Sequence, residues 1–151
     1  MTVRLAKPED LPALVELGRE FHVESRLAGF AYAPERIWKR LEKMLANRDR
    51  CCLVAADRDG ELVGFLLGAL EEYWVVKASV ARLQFWYLKP RFRGTLRAMQ
   101  LFHGFRRWAT RREAMEIAVG LSAGIESEKL GRIFERMGFH RSGGNYSSWL
   151  Q

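Results

Sequence analysis

The sequence predicts one mixed α/β (α+β) domain, residues 1–151, whose elements follow the order β-α-α-β-β-β-α-β-α-β. Two observations carry this prediction. Short apolar runs bounded by turn residues, typical of strands, alternate with segments whose apolar residues recur at helical spacing. The chain of 151 residues is also long enough to enclose its own hydrophobic core. We therefore expect a mixed sheet with helices on both faces.

The first three elements are a strand and two helices. Residues 3–6 form a short strand. Pro8, followed by two acidic residues, indicates a helix start, because proline and negative charge both favour the first turn. Apolar residues at 11, 14, 15, 17 and 21 then follow one helical stripe. After a loop around Gly29 and Pro34, residues 37–45 predict a second amphipathic helix.

A hairpin and a third strand form the middle of the predicted sheet. The apolar runs 52–55 and 62–70 flank the turn sequence Asp57-Arg58-Asp59-Gly60, which is typical of a strand–turn–strand unit. A further apolar run over 81–88 ends just before Pro90, so we place another strand there.

The last third predicts two helices, each followed by a strand. The first helix spans 95–112, and the strand 115–121 follows it, closed by a turn at 122–124. The second helix spans 126–137 and ends at Gly138, a common helix C-cap. We expect residues 147–150 to close the sheet as a last strand.

Composition excludes several classes of protein. Hydrophobic residues make up 48% and charged residues 28%, which excludes a wholly disordered chain. The apolar runs are too short to span a bilayer, and the first residues lack the apolar core of a secretory signal, so we expect a cytoplasmic protein. Cys51 and Cys52 are adjacent and would point to opposite faces of a strand, so we interpret them as buried thiols in a reducing compartment. The three histidines show no metal-ligand spacing, and no metal is expected.

Positive charge is concentrated in one window. The net charge is +7, yet residues 73–112 contain no acidic residue and hold ten basic ones. Without this window, 15 basic residues face 18 acidic ones. Such concentration favours a site for a single polyanionic ligand, with an arginine-rich solvated helix face as the alternative. The ten are Lys77, Arg82, Lys89, Arg91, Arg93, Arg97, Arg106, Arg107, Arg111 and Arg112.

The segment 87–98 within this window carries the clearest chemistry. A strand ends, a short basic loop follows and a helix begins. The unpaired N–H groups of a helix N-terminus attract anions, and Gly94 allows close approach of the backbone. With arginines nearby, the segment predicts a cradle for a pyrophosphate.

These features together resemble the GNAT N-acetyltransferases over residues 3–150. The loop is similar to the family pattern Arg/Gln-x-x-Gly-x-Gly/Ala, with Arg93 first, Leu96 at the central glycine and Ala98 last. Within the family, the sequence looks most like the compact members of phages and prophages. That narrower resemblance lies in Arg93-Gly94, Phe105-Arg106-Arg107-Trp108-Ala109, Gly120-Leu121-Ser122-Ala123-Gly124, Met137-Gly138-Phe139 and Gly144-Asn145-Tyr146.

The resemblance implies a mostly antiparallel central sheet and acetyl-CoA as the acyl donor. The backbone amides of the loop and the Arg93 side chain would hold the pyrophosphate, Trp86 to Leu88 would lie along the pantetheine, and Arg91 and Arg97 would meet the terminal phosphates. Separation of this strand from residues 117–121 would admit the thioester, and Ser122 would contact the pantetheine. The implied cofactor-binding residues are Trp86, Tyr87, Leu88, Arg91, Phe92, Arg93, Gly94, Thr95, Leu96, Arg97, Ala98 and Ser122.

Two departures from the family leave the catalytic groups open. Leu96 places a side chain where many members have glycine. Phe134 stands where many members carry a tyrosine as general acid, and it has no proton to donate. Tyr146 and Ser122 are the substitutes that we name for this acid. The strand 81–88 lacks a carboxylate, which leaves Glu71, Glu72 and Glu116 as candidates to take the proton of the amine.

We weigh three functions for the chain. The leading one is an acetyl-CoA-dependent N-acetyltransferase that acts on a small amine or a protein amino group by direct transfer in a ternary complex. The second is a non-catalytic acyl-CoA-binding sensor or interaction module, which Phe134 and the missing strand carboxylate favour. The third and least favoured is a nucleic-acid-binding module, whose binding would depend steeply on salt. The resemblance also makes a homodimer plausible.

Overall fold

A twisted sheet forms the centre of the molecule. The structure is a computed structural model that describes residues 1–94 and 96–150, without the side chains of Leu96 and Arg97. Within the described residues the sheet has five strands in the order β1-β2-β3-β4-β5. They are β1 (Thr2–Leu5), β2 (Arg50–Ala56), β3 (Leu62–Glu72), β4 (Ser79–Leu88) and β5 (Glu116–Val119). The first four pair antiparallel, and β5 runs parallel to β4.

Helices cover both faces of this sheet. They are α1 (Leu11–Glu24), α2 (Pro34–Leu45), α3 (Gln100–Arg111) and α4 (Ser127–Arg136). Short 3₁₀ turns at Pro8–Asp10, Pro90–Phe92 and Leu96–Met99 connect strands to helices. No helix among the described residues is long and apolar enough to cross a membrane.

Each face of the sheet has its own hydrophobic core. On one face, Phe102 and Phe105 of α3 are fully buried with Phe134 of α4. On the other, α1 and α2 pack against Phe65 and Tyr87. Because side chains alternate along a strand, β2 supplies residues to both cores.

The adjacent cysteines show this alternation directly. Cys51 lies in the core beneath α3 and α4, which we call the α3 core, and Cys52 lies in the core beneath α1 and α2, which we call the α1 core. Both are free, buried thiols. Burial raises the pKa of each thiol to about 12. The interpretation of these residues as buried thiols is confirmed.

The predicted fold class is confirmed, and the element order from β1 to α4 agrees with the sequence analysis. One boundary differs at the basic loop, since α3 begins at Gln100 after a 3₁₀ turn instead of near residue 95. The closing strand predicted over 147–150 is wrong, because the described residues after α4 form no regular structure. The ring of Trp149 instead lies 5.2 Å from that of Phe30 and 5.6 Å from the Arg26 guanidinium, so this segment packs on the loop between α1 and α2.

A β-bulge interrupts the pairing of β4 in the middle of the sheet. Leu67 of β3 pairs with Phe85, whereas the next residue, Gly68, pairs with Leu83. Gln84 is therefore an extra residue on β4, and a bulge of this kind bends the strand and increases its twist. The pairing of β4 with β5 ends at the same point, with Leu83 opposite Val119.

Candidate functional site

An open strand edge follows the bulge in β4. Past Leu83, residues 84–88 have β3 on one side and, among the described residues, no strand on the other. Residues Ile117 to Val119 still pair with β4, so the separation expected over residues 117–121 begins only after Val119. Backbone N–H and C=O groups at such an edge are available to an extended ligand that pairs as another strand does.

The last three side chains of this edge, at residues 86–88, pack into the two cores. Trp86 packs against Phe102 and Phe134, with ring centroids 6.1 Å from each. Tyr87 and Leu88 are almost completely buried, at 2% and 5% exposure. The three residues predicted to lie along the pantetheine therefore offer backbone groups and not side chains to the open edge.

The loop after β4 has the conformation that its glycine requires. Gly94 adopts a φ of +77°, where side chains are strained, and a Cβ at this position would meet no atom of the described residues within 4 Å beyond its chain neighbours. The described part of the chain therefore leaves space for a ligand beside this backbone. Ala98 is half-buried against the α3 core. Thr95 lies outside the described residues, as do the side chains of Leu96 and Arg97.

Arg93 is held in place from both sides. Its Nε donates to the Leu88 carbonyl at 2.6 Å, and its Nη1 and Nη2 lie 2.9 Å and 3.0 Å from the two carboxylate oxygens of Glu24 at the end of α1. The guanidinium also lies 5.2 Å from the Tyr87 ring. Arg93, the residue predicted to bind the pyrophosphate, thus also anchors the loop to α1.

Glu24 joins two donors in this cluster. The Tyr87 hydroxyl donates to its Oε1 at 2.7 Å, the same oxygen that Arg93 reaches. Burial alone would raise the pKa of Glu24, but the hydrogen bonds from Arg93 and Tyr87 outweigh it and the pKa lies below its usual value. Burial and the hydrogen bond to Glu24 raise the pKa of Tyr87, so its phenol stays protonated. The cluster is therefore an ionised carboxylate between a cation and a neutral donor.

Other members of the basic window differ in how far they are neutralised. Lys89 pairs with Glu61 at 3.0 Å and with Glu20 at 3.6 Å. Arg91 is exposed, with its guanidinium 4.8 Å from the Phe92 ring, and carries no ion pair among the described residues. The loop thus presents Arg91 to an incoming anion more freely than Lys89.

The candidate proton acceptors lie at the far end of β4 from the basic loop. Glu71 is opposite Val80, and Val80 is opposite Glu116, so these two carboxylates share one row and one face of the sheet. Glu71 accepts from Arg82 Nε at 2.7 Å, and Glu116 accepts a short hydrogen bond from the Tyr73 hydroxyl. Glu72 is exposed at the end of β3. Gln84 at the bulge lies four positions along β4 from Val80 in this row, or about 13 Å.

The candidate general acids sit in different settings. Tyr146 is 98% exposed in the irregular segment after α4, so no cleft encloses its hydroxyl. Ser122 is also exposed, but its carbonyl accepts from Arg26 Nε at 2.9 Å, and the next carbonyl, of Ala123, accepts from the Arg26 N–H at 3.0 Å. These bonds tie the segment after β5 to the end of α1.

Sequence analysis missed an apolar cavity of about 450 Å³ between the sheet and the α1–α2 helices, which we call the apolar pocket. Its residues come from distant parts of the chain, so no local motif marks it. The only sequence signal is a surplus of large side chains on α1 and in the loop after it. The lining consists of Leu14, Gly18, Phe21, His22, Ser25, Leu27, Phe30, Ala31, Tyr32, Ala33, Ile37, Leu41, Phe65, Leu67, Phe85 and Trp149.

Comparisons with known proteins identify the family of this chain. The model of the acetyltransferase (GNAT) family matches residues 12–139. No curated protein matches the chain.

Within the part of the chain that the structure describes, no group of side chains is arranged to hold a metal ion.

Solved structures with a similar fold cover nearly the whole chain. A probable acetyltransferase is 23% identical with a TM-score of 0.79, over 100% of this chain and 99% of its own. AAC(6')-Iy, solved with the bisubstrate analog CoA-S-monomethyl-acetylneamine, is 18% identical with a TM-score of 0.80, over 99% and 97%. Glucosamine-6-phosphate N-acetyltransferase from Arabidopsis thaliana is 13% identical with a TM-score of 0.77, over 99% and 98%.

Proposed function

The chain belongs to the acetyltransferase (GNAT) family, and on that premise we propose that it moves the acetyl group of acetyl-CoA to an amine by direct transfer in a ternary complex. The family implies acetyl-CoA-dependent N-acetyl transfer. In the proposed reaction the amine nitrogen bonds to the acetyl carbon while the carbon–sulfur bond breaks. The amine loses a proton and the departing thiolate gains one.

The open edge of β4 is the observation that carries the proposal. An extended pantetheine has amides that pair with backbone groups of residues 84–88, where the β5 pairing has ended. We propose that a backbone N–H on β4 stabilises the negative charge that develops on the acetyl oxygen. The bulge at Gln84 supports this role, because it turns backbone groups out of the regular ladder.

The basic loop fits the other end of the same ligand. Gly94 leaves open space beside a backbone in the left-handed region, and Arg93 and Arg91 lie on either side of Phe92. We propose that the amides of residues 92–98 and the Arg93 side chain hold the pyrophosphate, with Arg91 and Arg97 toward the terminal phosphates. Thr95, Leu96 and Ala98 would contribute backbone groups, and Ser122 would contact the pantetheine from the segment after β5.

The groups that we propose for proton transfer lie away from the open edge of β4. We propose that Glu71, Glu72 or Glu116 accepts the proton of the amine, and that a chain of water molecules bridges the separation of about 13 Å along β4. Tyr146 and Ser122 remain the proposed donors to the thiolate. Positioning of the two substrates supplies the rest of the acceleration.

A calorimetric titration with acetyl-CoA tests the proposal first. We expect saturable binding at moderate salt, and release of free CoA thiol when an accepted amine is added. Absence of binding would overturn the proposal and bring another polyanion forward as the ligand of the basic window. A titration with DNA over a salt series covers that outcome, because nucleic-acid binding weakens steeply with salt.

A non-catalytic acyl-CoA-binding module is the second candidate. Phe134 favours it, since this residue is buried among Trp86, Phe102 and Phe139 and offers no proton to a thiolate. The two candidates differ in one result. The module would bind acetyl-CoA as tightly but release no thiol with any amine.

A further inference from the structure

We infer that the acceptor is a lipophilic primary amine with an aromatic or branched aliphatic body and no second charge, and that this body occupies the apolar pocket. The inference rests on the proposed function and names its substrate class. It is carried by the position of the pocket, its chemistry and the charges at its rim.

The position of the pocket links it to the open edge of β4. Phe85 lines the pocket and is the residue directly after the bulge at Gln84. Its ring lies 5.7 Å from that of Phe21 in a perpendicular contact, which joins α1 to the sheet at this point. Leu67, opposite Phe85 on β3, lines the same wall. A molecule in the pocket therefore ends beside the strand edge where the acetyl group would lie.

The lining of the pocket gives no partner to a second charge. None of its residues is Asp, Glu, Lys or Arg. Its two hydroxyl groups already donate to backbone: Ser25 Oγ to the His22 carbonyl at 2.8 Å, and the Tyr32 hydroxyl to the Val15 carbonyl at 2.7 Å. A sugar phosphate or a polyamine would lose water here without finding compensating hydrogen bonds or ion pairs.

One polar group on the wall suits a single amine. Among the described residues, the His22 imidazole makes a ring contact with Tyr32 at 5.4 Å and no hydrogen bond. An imidazole nitrogen accepts a hydrogen bond from an amine N–H. Apolar surroundings also favour the neutral form of the amine, which is the form that attacks.

Charges at the rim act against a polycation. The Arg19 guanidinium lies 4.9 Å from the Tyr32 ring, and that of Arg26 lies 5.6 Å from the Trp149 ring. Both rings line the pocket. Arg19 is also paired with Glu16 at 3.4 Å, whereas Arg26 carries no ion pair among the described residues, so the Arg26 charge is the one left unbalanced beside the pocket. A polyamine would meet this charge, whereas a monoamine that enters in its neutral form would not.

Size points to a small molecule. A cavity of about 450 Å³ lies within the range of small-molecule sites, and aromatic and aliphatic side chains line it as in such sites. Phenethylamine and tryptamine are therefore suitable probes. Spermidine, glucosamine and a peptide with a free N-terminus represent the acceptors that the pocket disfavours.

The experiment measures release of CoA thiol with these five probes. Pocket variants are Phe30→Ser and Trp149→Ala, since both side chains are more than half exposed and their loss leaves the cores intact. Trp74→Ala is the matched control, because this fully exposed tryptophan does not line the pocket. Calorimetry with acetyl-CoA accompanies each variant.

We expect kcat/KM for tryptamine or phenethylamine to exceed that for spermidine and glucosamine by at least 100-fold. Each pocket variant should lower kcat/KM for the apolar amines by about tenfold, through KM, with the Kd for acetyl-CoA unchanged and Trp74→Ala like the wild type. Preference for a polar amine or the peptide, or pocket variants without effect, would overturn the inference while the proposed function stands. Binding of acetyl-CoA without thiol release from any of the five probes would likewise overturn the inference alone. Failure to bind acetyl-CoA would instead overturn the proposed function, and the inference with it.

Discussion

Arg93 and Glu24 form an ion pair that joins the loop after β4 to the last turn of α1. Their atoms approach to 2.9 Å although 69 residues separate them, and the Tyr87 hydroxyl reaches the same carboxylate. The pair connects two parts of the proposed site, since the loop would hold acetyl-CoA and α1 lines the apolar pocket. Arg93 therefore has two separable roles, as an anchor of the loop and as a ligand of phosphate.

The first prediction separates these roles. Arg93→Ala removes both, whereas Glu24→Gln removes the ion pair and keeps the guanidinium. If Arg93 meets the pyrophosphate, Arg93→Ala should weaken acetyl-CoA binding by tenfold or more, which corresponds to about 1.4 kcal/mol. The Kd of Glu24→Gln for acetyl-CoA, measured by calorimetry, should stay within about threefold of the wild-type value.

The contrary outcomes are distinct. Equal weakening by both variants would show that Arg93 acts only by anchoring the loop. An unchanged Kd in Arg93→Ala would remove this residue from the proposed binding site. Thermal unfolding of both variants checks that the fold survives the loss of the pair.

The second prediction concerns the bulge in β4. Gly68 lies opposite it, and a Cβ at this position would collide with the Phe105 ring and approach the Arg82 carbonyl oxygen to 3.1 Å. Phe105 is fully buried and has little room to move. Gly68→Ala should therefore lower the free energy of unfolding by about 1–3 kcal/mol.

Gly29→Ala is the matched control for this substitution. No atom lies within 4 Å of a Cβ at Gly29, and its φ is not in the left-handed region. Urea unfolding should show a change within about 0.5 kcal/mol for this exposed position. A Gly68→Ala variant as stable as Gly29→Ala would contradict the packing described around the bulge.

The third prediction concerns pH and Asp10. Its carboxylate accepts from Arg4 at 2.7 and 2.9 Å and from the Lys7 N–H at 2.8 Å, which fixes the start of α1 against β1. Hydrogen bonding by Arg4 is the largest influence, and it holds the pKa of Asp10 below its ordinary 3.8 despite burial. Because the pKa is lower in the folded state, the stabilisation is present at neutral pH and is lost as pH falls below about 4.

Asp10→Asn should therefore cost about 1.5–3 kcal/mol at pH 7, the range for hydrogen bonds to charged groups. Urea unfolding of both proteins at pH 7, 5 and 3 measures the difference, which should shrink at pH 3. A difference that stays constant across this range would show that the charge of Asp10 contributes nothing to stability.

Local patterns predicted most of the fold and part of the site. Helical stripes follow from contact with one core, and continuous apolar runs follow from strands buried on both faces, so β1 to α4 were predictable. The closing strand was not, because Trp149 and Leu150 have the apolar character of a strand while the segment packs on Phe30 instead. The apolar pocket and the Arg93–Glu24 pair depend on residues distant in sequence, which periodicity does not bring together.

The last prediction concerns the proton of the amine. Of the three candidate carboxylates, Glu71 already accepts from the cationic Arg82, whereas Glu116 accepts from the neutral phenol of Tyr73. The hydrogen bond to Glu116 raises the pKa of Tyr73, so the phenol remains the donor of this bond. Among the described residues, neither Glu116 nor Glu72 has a bonded cation, and of these two only the Glu116 carboxylate is held by a side-chain hydrogen bond.

If Glu116 accepts the proton through water, Glu116→Gln should lower kcat by about 100-fold. Tyr73→Phe keeps the carboxylate and should retain most of the activity, and Glu72→Gln is the control for a carboxylate exposed at the end of β3. The measurement is the pH profile of CoA thiol release for all three variants and for Glu71→Gln, with acetyl-CoA saturating. A Glu116→Gln profile that matches the wild type, beside a loss in Glu71→Gln, would transfer the role to Glu71. If every variant has the profile of the wild type, none of the three candidate carboxylates takes the proton, and bulk water is then the acceptor.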